Sequence, residues 1–269
     1  MNASMDEMTA TAATPVAVIT GAARGIGLAT AEWFLAHGYR VALLDIDGET
    51  QARAAAALGD ASRVLAIRCD VSDPRQVDAA FEQIAAAFGR IDALVNNAGV
   101  AIFEPLLDTS FAHWRQVMAT NLDGAFLCTQ ACAPVMLRTG GGSIVNIASI
   151  SGLRASTLRV AYGTSKAALI HLTKQQAVEL GNVGIRVNAI APGPVETAMA
   201  KAVHSPAIRA DYHAAIPLAR YGSEGEIASA IGFLCSPSAS YVNGQVLAVD
   251  GGFDAAGVGL PTLRRPRDA

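Results

Sequence analysis

Short apolar runs, each closed by small or polar residues, punctuate the chain, and helix-like patterns fill the intervals. The runs read VAVIT (16–20), YRVALLD (39–45), RVLAIRCD (63–70), DALVNNAG (92–99), GSIVNIAS (142–149), IRVNAIAPG (185–193) and GQVLAVDGG (244–252). Runs that are apolar at nearly every position belong to strands covered on both faces. Alternation with helices predicts right-handed crossovers and an α/β fold, a three-layer Rossmann-type sandwich around a parallel sheet of about seven strands. No Pro- or Ser-rich linker breaks the rhythm, so residues 15–252 are expected to form a single domain. It would lie between a flexible leader (1–14) and a tail (253–269).

In such sheets ligands bind beyond the carboxyl ends of the strands. Asp45, Asp70, Asn97, Ser149 and the loop 192–197 fall at those ends. The first apolar run leads into Thr20-Gly21-Ala22-Ala23-Arg24-Gly25-Ile26-Gly27 and then a helical stretch, the context of a phosphate-binding turn. Gly21 would allow the tight turn, Gly25 a close approach to pyrophosphate and Gly27 close helix–sheet packing. Backbone N–H groups and the positive helix end would face the phosphates. Glycines also serve ordinary strand-to-helix turns, so Asp45 carries the weight. A carboxylate at the end of the second strand accepts bonds from ribose hydroxyls and repels a 2′-phosphate, favouring NAD over NADP. Arg24 is the opposing signal, since a cation in the turn suits a 2′-phosphate. Asp70 and Val71 are placed beside the adenine, the alternative for Asp70 being a helix cap ahead of Pro74.

Tyr162 and Lys166 stand four residues apart, on one face of a helix opening near Val160. An ammonium beside a phenol favours the phenolate and draws the phenol toward use as a general acid or base. Ser149 would donate a hydrogen bond to an oxygen held between itself and Tyr162. Such Tyr-x-x-x-Lys pairs also occur on solvated helix faces, but this chain has only three lysines, Lys166, Lys174 and Lys201.

Composition narrows the field. Apolar residues make up 52% and charged residues 16%, which fits a globular protein with buried strands. A net charge of −3 offers no footprint for nucleic acid or an acidic membrane, and no apolar run is long enough to span a bilayer. The opening residues lack the order of a signal peptide, so a cytoplasmic location is expected. Cys69, Cys128, Cys132 and Cys235 show no C-x-x-C spacing and read as buried free thiols, with no metal site.

The T-G-x-x-x-G-I-G turn, N-N-A-G (96–99), Ser149, Tyr162 and Lys166 at their spacing, and P-G-P-V-E-T (192–197) together resemble the short-chain dehydrogenase/reductase family, from about residue 15 to 252. The resemblance implies hydride transfer between a nicotinamide and a small-molecule alcohol or ketone. Tyr162 would be the general acid/base, and Lys166 would tune it and bond the nicotinamide ribose. Ser149 would steady the substrate oxygen, and Asn121 would hold a water linking Lys166 to solvent. Asn97, Ala98 and Gly99 would line the cofactor cleft, Asn96 would tie strands together, and Pro192, Gly193, Val195 and Thr197 would border the nicotinamide. It also implies a homotetramer formed through the helices holding Asn121 and Tyr162, with Ala167, Ala168, Ile170, Leu172 and Val178 available for that packing or for the core. A polyol, sugar or hydroxy acid is the expected substrate. Arg154, Arg159, His204, Arg209, Tyr212 and His213 are candidates for its recognition. Rival readings are a 3-oxoacyl-(acyl-carrier-protein) reductase, against which Asp45 counts, a sugar-nucleotide epimerase and a non-catalytic NAD-binding regulator.

Overall fold

Seven strands form one parallel sheet in the order β3-β2-β1-β4-β5-β6-β7. The structure, a computed structural model, describes residues 14–257 and 259–263. The strands are β1 Val16–Thr20, β2 Arg40–Asp45, β3 Val64–Arg68, β4 Ala93–Asn96, β5 Gly142–Ile147, β6 Ile185–Pro192 and β7 Val246–Val249. The helices that position the site are α1 Gly25–Ala36, α2 Gly48–Leu58, α3 Pro74–Phe88, α4 Phe111–Met118, α5 Gly124–Arg138, α6 Ile150–Leu153, α7 Val160–Gly181, α8 Ala198–Val203, α9 Pro206–Ala215 and α10 Glu224–Cys235. The sandwich expected from the apolar runs is therefore present. The expected leader, save Thr14, and the basic end of the tail lie outside the described residues.

Alternation along the strands feeds two cores. Val18 joins Ala42, Leu44 and Leu94 with Phe81 and Ile84 of α3 and Met136 of α5 on one face. Ala17 and Ile19 join Leu43, Val95 and Val145 with Phe34 of α1 and Ile227 and Ile231 of α10 on the other. The five inner strands are thus buried on both sides, which is why their sequences show no polar alternation, whereas the edge strands β3 and β7 are partly exposed. All four cysteines are buried and free, and burial pushes the Cys69 thiol up to about 11. Among the described residues, no helix is long and apolar enough to cross a membrane.

Most strands stop short of their apolar runs. Cys69 and Asp70 follow β3, Asn97 to Gly99 follow β4, and Ala148 and Ser149 follow β5. Register aligns these endings: Thr20 faces Leu44, Asn96 faces Asn146 and Pro192 faces Val249. The residues past each last ladder bond therefore meet at one edge of the sheet. The tail begins folded back, with the Phe253 carbonyl accepting from Arg154 Nη1 at 2.8 Å and its ring 5.9 Å from that of Tyr212.

Candidate active site

The turn from β1 into α1 is locked from behind. Gly21 has φ +64°, and a Cβ there would lie 2.8 Å from Ala98 Cα, so both backbone shape and space demand glycine. At Gly27 a Cβ would come within 2.2 Å of the Gly21 carbonyl oxygen, so the helix start packs closely against the turn itself. Asn97 Nδ2 donates to the carbonyls of Thr20 (2.9 Å) and Gly21 (3.0 Å), while Thr20 Oγ1 accepts from the amides of Asn97 (3.0 Å) and Ala98 (2.9 Å). Asn97 borders the cleft, but its side chain is spent on holding the turn.

Side-chain oxygens cap the starts of α2, α3, α4, α9 and α10. The start of α1 has no such cap, because Arg24 occupies the capping position. Its first N–H groups therefore have no side-chain cap, and Gly25 and Ile26 line the cleft, which suits a pyrophosphate. Asp45 is half-buried at the end of β2, accepting from the amides of Ala23 (2.9 Å) and Asp47 (3.0 Å). Arg24, the opposing signal in the sequence, is ion-paired with Asp47, which also caps α2 through Thr50 N at 3.1 Å. A cation thus engaged has less to offer a 2′-phosphate. Asp70 bonds Ser72, and Asp73 caps α3, so Asp70 is not the helix cap.

Ser149 follows β5 and opens α6, its Oγ accepting from Ser151 N at 3.1 Å. Tyr162 lies in the first turn of α7 and Lys166 one turn on, with Lys166 Nζ 5.8 Å from the Tyr162 ring centroid. Lys166 is 3% exposed, and its Nζ donates to the Ile147 carbonyl at 2.7 Å. The electrostatic balance departs from the sequence expectation. Burial raises the Tyr162 phenol above 10.0, against the lowering effects of a Ser149 hydrogen bond and the Arg159 charge. The same burial brings Lys166 down to about 8, so the ammonium is costly to hold but still charged at pH 7.

Asn121 lies in a π-helical turn, Ala119–Asp123, joining α4 to α5, and it is buried. It does not line the cleft. Its Nδ2 donates to the Val100 carbonyl and to Ser165 Oγ, both at 3.0 Å, and its Oδ1 accepts from Val100 N at 2.8 Å. Asn121 therefore clasps the residue beside Lys166, a role that only the folded contacts display. Asn96 ties strands as expected, donating to Asn146 Oδ1 at 2.8 Å.

One cleft of about 700 Å³ runs from the glycine turn to the mouth. Gly21, Arg24, Gly25, Ile26, Asp45, Asp70, Val71, Asn97, Ala98, Gly99, Ser149, Tyr162, Lys166, Pro192, Gly193, Val195 and Thr197 all border it. Gly27 and Asn121 stand behind its wall. Thr197 also caps α8, accepting from Ala200 N at 3.1 Å. Of the recognition candidates, Arg159, His204 and Tyr212 reach the cleft. Arg154 instead binds the Phe253 carbonyl, Arg209 pairs with Glu196, and His213 packs near the Tyr221 ring. Phe103 and Gln116 also line the cleft, though no apolar run or motif marked them. Among the described residues, no cluster of three or more His, Cys, Asp and Glu could hold a metal.

The uncapped α1 start, the turn with no room for a Cβ at Gly21, and the Asp45 carboxylate fit a bound dinucleotide. Comparison with known proteins agrees. A family model described as Enoyl-(Acyl carrier protein) reductase matches residues 21–254, and the chain belongs to the short-chain dehydrogenase/reductase family. Family members use nicotinamide cofactors, and this chain is an oxidoreductase acting on CH–OH groups. It is 43% identical to a 2-(R)-hydroxypropyl-CoM dehydrogenase of Xanthobacter autotrophicus over 89% of this chain and 98% of that protein. It is also 43% identical to a D-threitol dehydrogenase of Mycolicibacterium smegmatis over 88% of this chain and 92% of that one. Its fold superposes on levodione reductase with a TM-score of 0.86 at 36% identity, over 91% of this chain and 99% of that one.

Proposed function

We propose that this chain is an NAD-preferring dehydrogenase interconverting a secondary alcohol and a ketone, with Tyr162 as general acid/base. The observation carrying this reading is that Ser149, Tyr162 and Lys166 border the same cleft as the uncapped glycine turn. When bound, the nicotinamide supplies the hydride or takes it up. Ser149 holds the substrate oxygen by a hydrogen bond, and Tyr162 takes the hydroxyl proton in oxidation or gives it back in reduction. Lys166 would hold the nicotinamide ribose, and Asn121 keeps α7 in place through Ser165. The N–H groups of α1 would hold the pyrophosphate, Asp45 the ribose, and Asp70 and Val71 the adenine. Pro192, Gly193, Val195 and Thr197, which line the cleft, would border the nicotinamide.

The names of the two relatives describe a hydroxypropyl compound and a polyol, which supports a small secondary alcohol, and among the expected substrates a polyol rather than a sugar or hydroxy acid. The test is a panel of such alcohols with NAD and with NADP, followed at the nicotinamide absorbance. Turnover of none of them would remove the reading. Asp45→Ala should lower the NAD-to-NADP ratio of kcat/KM by about tenfold or more, because it deletes a charge opposed to a 2′-phosphate. An unchanged ratio would take Asp45 out of that role.

Homotetramer assembly belongs to the same reading. It is supported by exposed apolar side chains on the helices concerned, Phe126 on α5 and Val178 on α7, which are 47% and 77% exposed. Light scattering should give four times the 27.7 kDa chain mass, and a monomer would end this part of the proposal.

A further inference from the structure

Charge is unevenly spread along the cleft. Its two lining carboxylates, Asp45 closing β2 and Asp70 just beyond β3, stand at the end assigned to the adenosine. Past Tyr162 the lining carries Arg159 and His204, with no carboxylate among the described residues. His204 Nδ1 lies 3.0 Å from the Tyr221 hydroxyl, and burial and the charges of Arg159 and Arg209 lower its pKa below 6.5. A neutral imidazole at pH 7 leaves Arg159 as the cation of this end.

Arg159 is half-buried, and its bonds are modest. Nη1 reaches Ser151 Oγ at 3.2 Å and Nη2 reaches the Tyr212 hydroxyl at 3.3 Å, both neutral acceptors. Its guanidinium stands 5.0 Å from the Phe103 ring centroid. Arg24, Arg53, Arg90, Arg209 and Arg220 each hold a carboxylate, whereas no ion pair to Arg159 occurs among the described residues. A guanidinium withdrawn from water keeps donors in a planar fork that matches a carboxylate. Its position is fixed by the same helix start that sets Tyr162 three residues on, and its charge reaches the Tyr162 phenol.

We propose that Arg159 determines substrate specificity by pairing with a carboxylate, so that the enzyme acts on hydroxy acids and oxo acids. Ser151 and Tyr212 aim the guanidinium, and Phe103 and Tyr212 flank the substrate's carbon skeleton. This assignment rests on the dehydrogenase reading for the reacting oxygen, but the ion pair is testable without turnover.

The test is calorimetric titration of the NAD-loaded enzyme with two matched pairs, cyclohexanecarboxylate against cyclohexanecarboxamide and butanoate against butanamide. Each pair has nearly one shape and differs in charge. The acid of at least one pair should bind about tenfold or more tightly than its amide, the order expected of a charge-assisted pair. Arg159→Gln should erase that preference, Arg159→Lys should keep part of it, and both should bind NAD as the native enzyme does. Arg154→Gln, a neighbouring arginine bonded outside the cleft, should retain the whole preference. Equal binding of acid and amide in both pairs, a preference surviving Arg159→Gln, or its loss in Arg154→Gln would overturn the assignment. If no alcohol is oxidised but an Arg159-dependent preference is measured, the dehydrogenase reading falls and the anion site stands. Turnover with no charge preference removes the anion site alone.

Discussion

Tyr162→Phe is expected to lower kcat by about 10²–10⁴-fold, the range a positioned general acid/base supplies, while NADH binding stays within about a factor of two. The substitution deletes one hydroxyl and leaves the ring against Lys166. The direction of the phenol's shift adds a signature. Burial holds the proton on Tyr162 at neutral pH, the form that donates to a ketone oxygen. Alcohol oxidation requires the phenolate, so its rate should climb as pH rises above neutrality, whereas ketone reduction should fall over the same range. A Tyr162→Phe enzyme keeping a tenth of native activity, or oxidation that slows as pH rises from 7 to 9, would remove Tyr162 from this role.

Lys166→Met is expected to make the cofactor-free protein more stable while lowering turnover by about 10²-fold or more. The ammonium is buried and donates to the Ile147 carbonyl, with no carboxylate partner among the described residues. The cost of charging it shows as a pKa brought from 10.5 to about 8. That fall corresponds to roughly 3 kcal/mol, reduced in the mutant by the bond the Ile147 carbonyl loses. The sign follows from proton counting. Between about 8 and 10.5 the unfolded chain binds more protons than the native one, so native stability rises with pH across that window. Below 8 both states are protonated and the full cost remains. The stability gained by Lys166→Met in urea unfolding should therefore be largest at pH 6–7 and shrink toward pH 10. A mutant less stable at pH 7, or a gain independent of pH, would show that burial of this charge is not costly. The pair of effects would also make Lys166 a residue kept for function against stability.

Much of the site was readable because its residues follow strand ends. Asp45, Asn97 and Ser149 could be placed along the chain without contacts, since a parallel sheet puts every carboxyl end on one edge. Tyr162 and Lys166 could be placed on one helix face from their spacing. Side-chain roles were less legible. Asn97 was expected to border the cleft and does, but its amide is bonded to the glycine turn. Asn121 was expected near Lys166, and its buried place behind the wall depends on a π-helical turn that local propensity does not announce. The Arg24–Asp47 pair joins two separate loops, and nothing in either segment marks it.

The amino-acid sequence by itself determined the sheet, its parallel winding and the family, because apolar runs and glycine spacing act over a few neighbouring residues. Tertiary structure alone decided the protonation balance and the charge of the cleft. Burial raises Tyr162 and lowers Lys166, and the fold gives Arg159 no carboxylate partner among the described residues. These outcomes depend on how much water each group loses and which distant groups surround it, and neither quantity exists until the chain has folded.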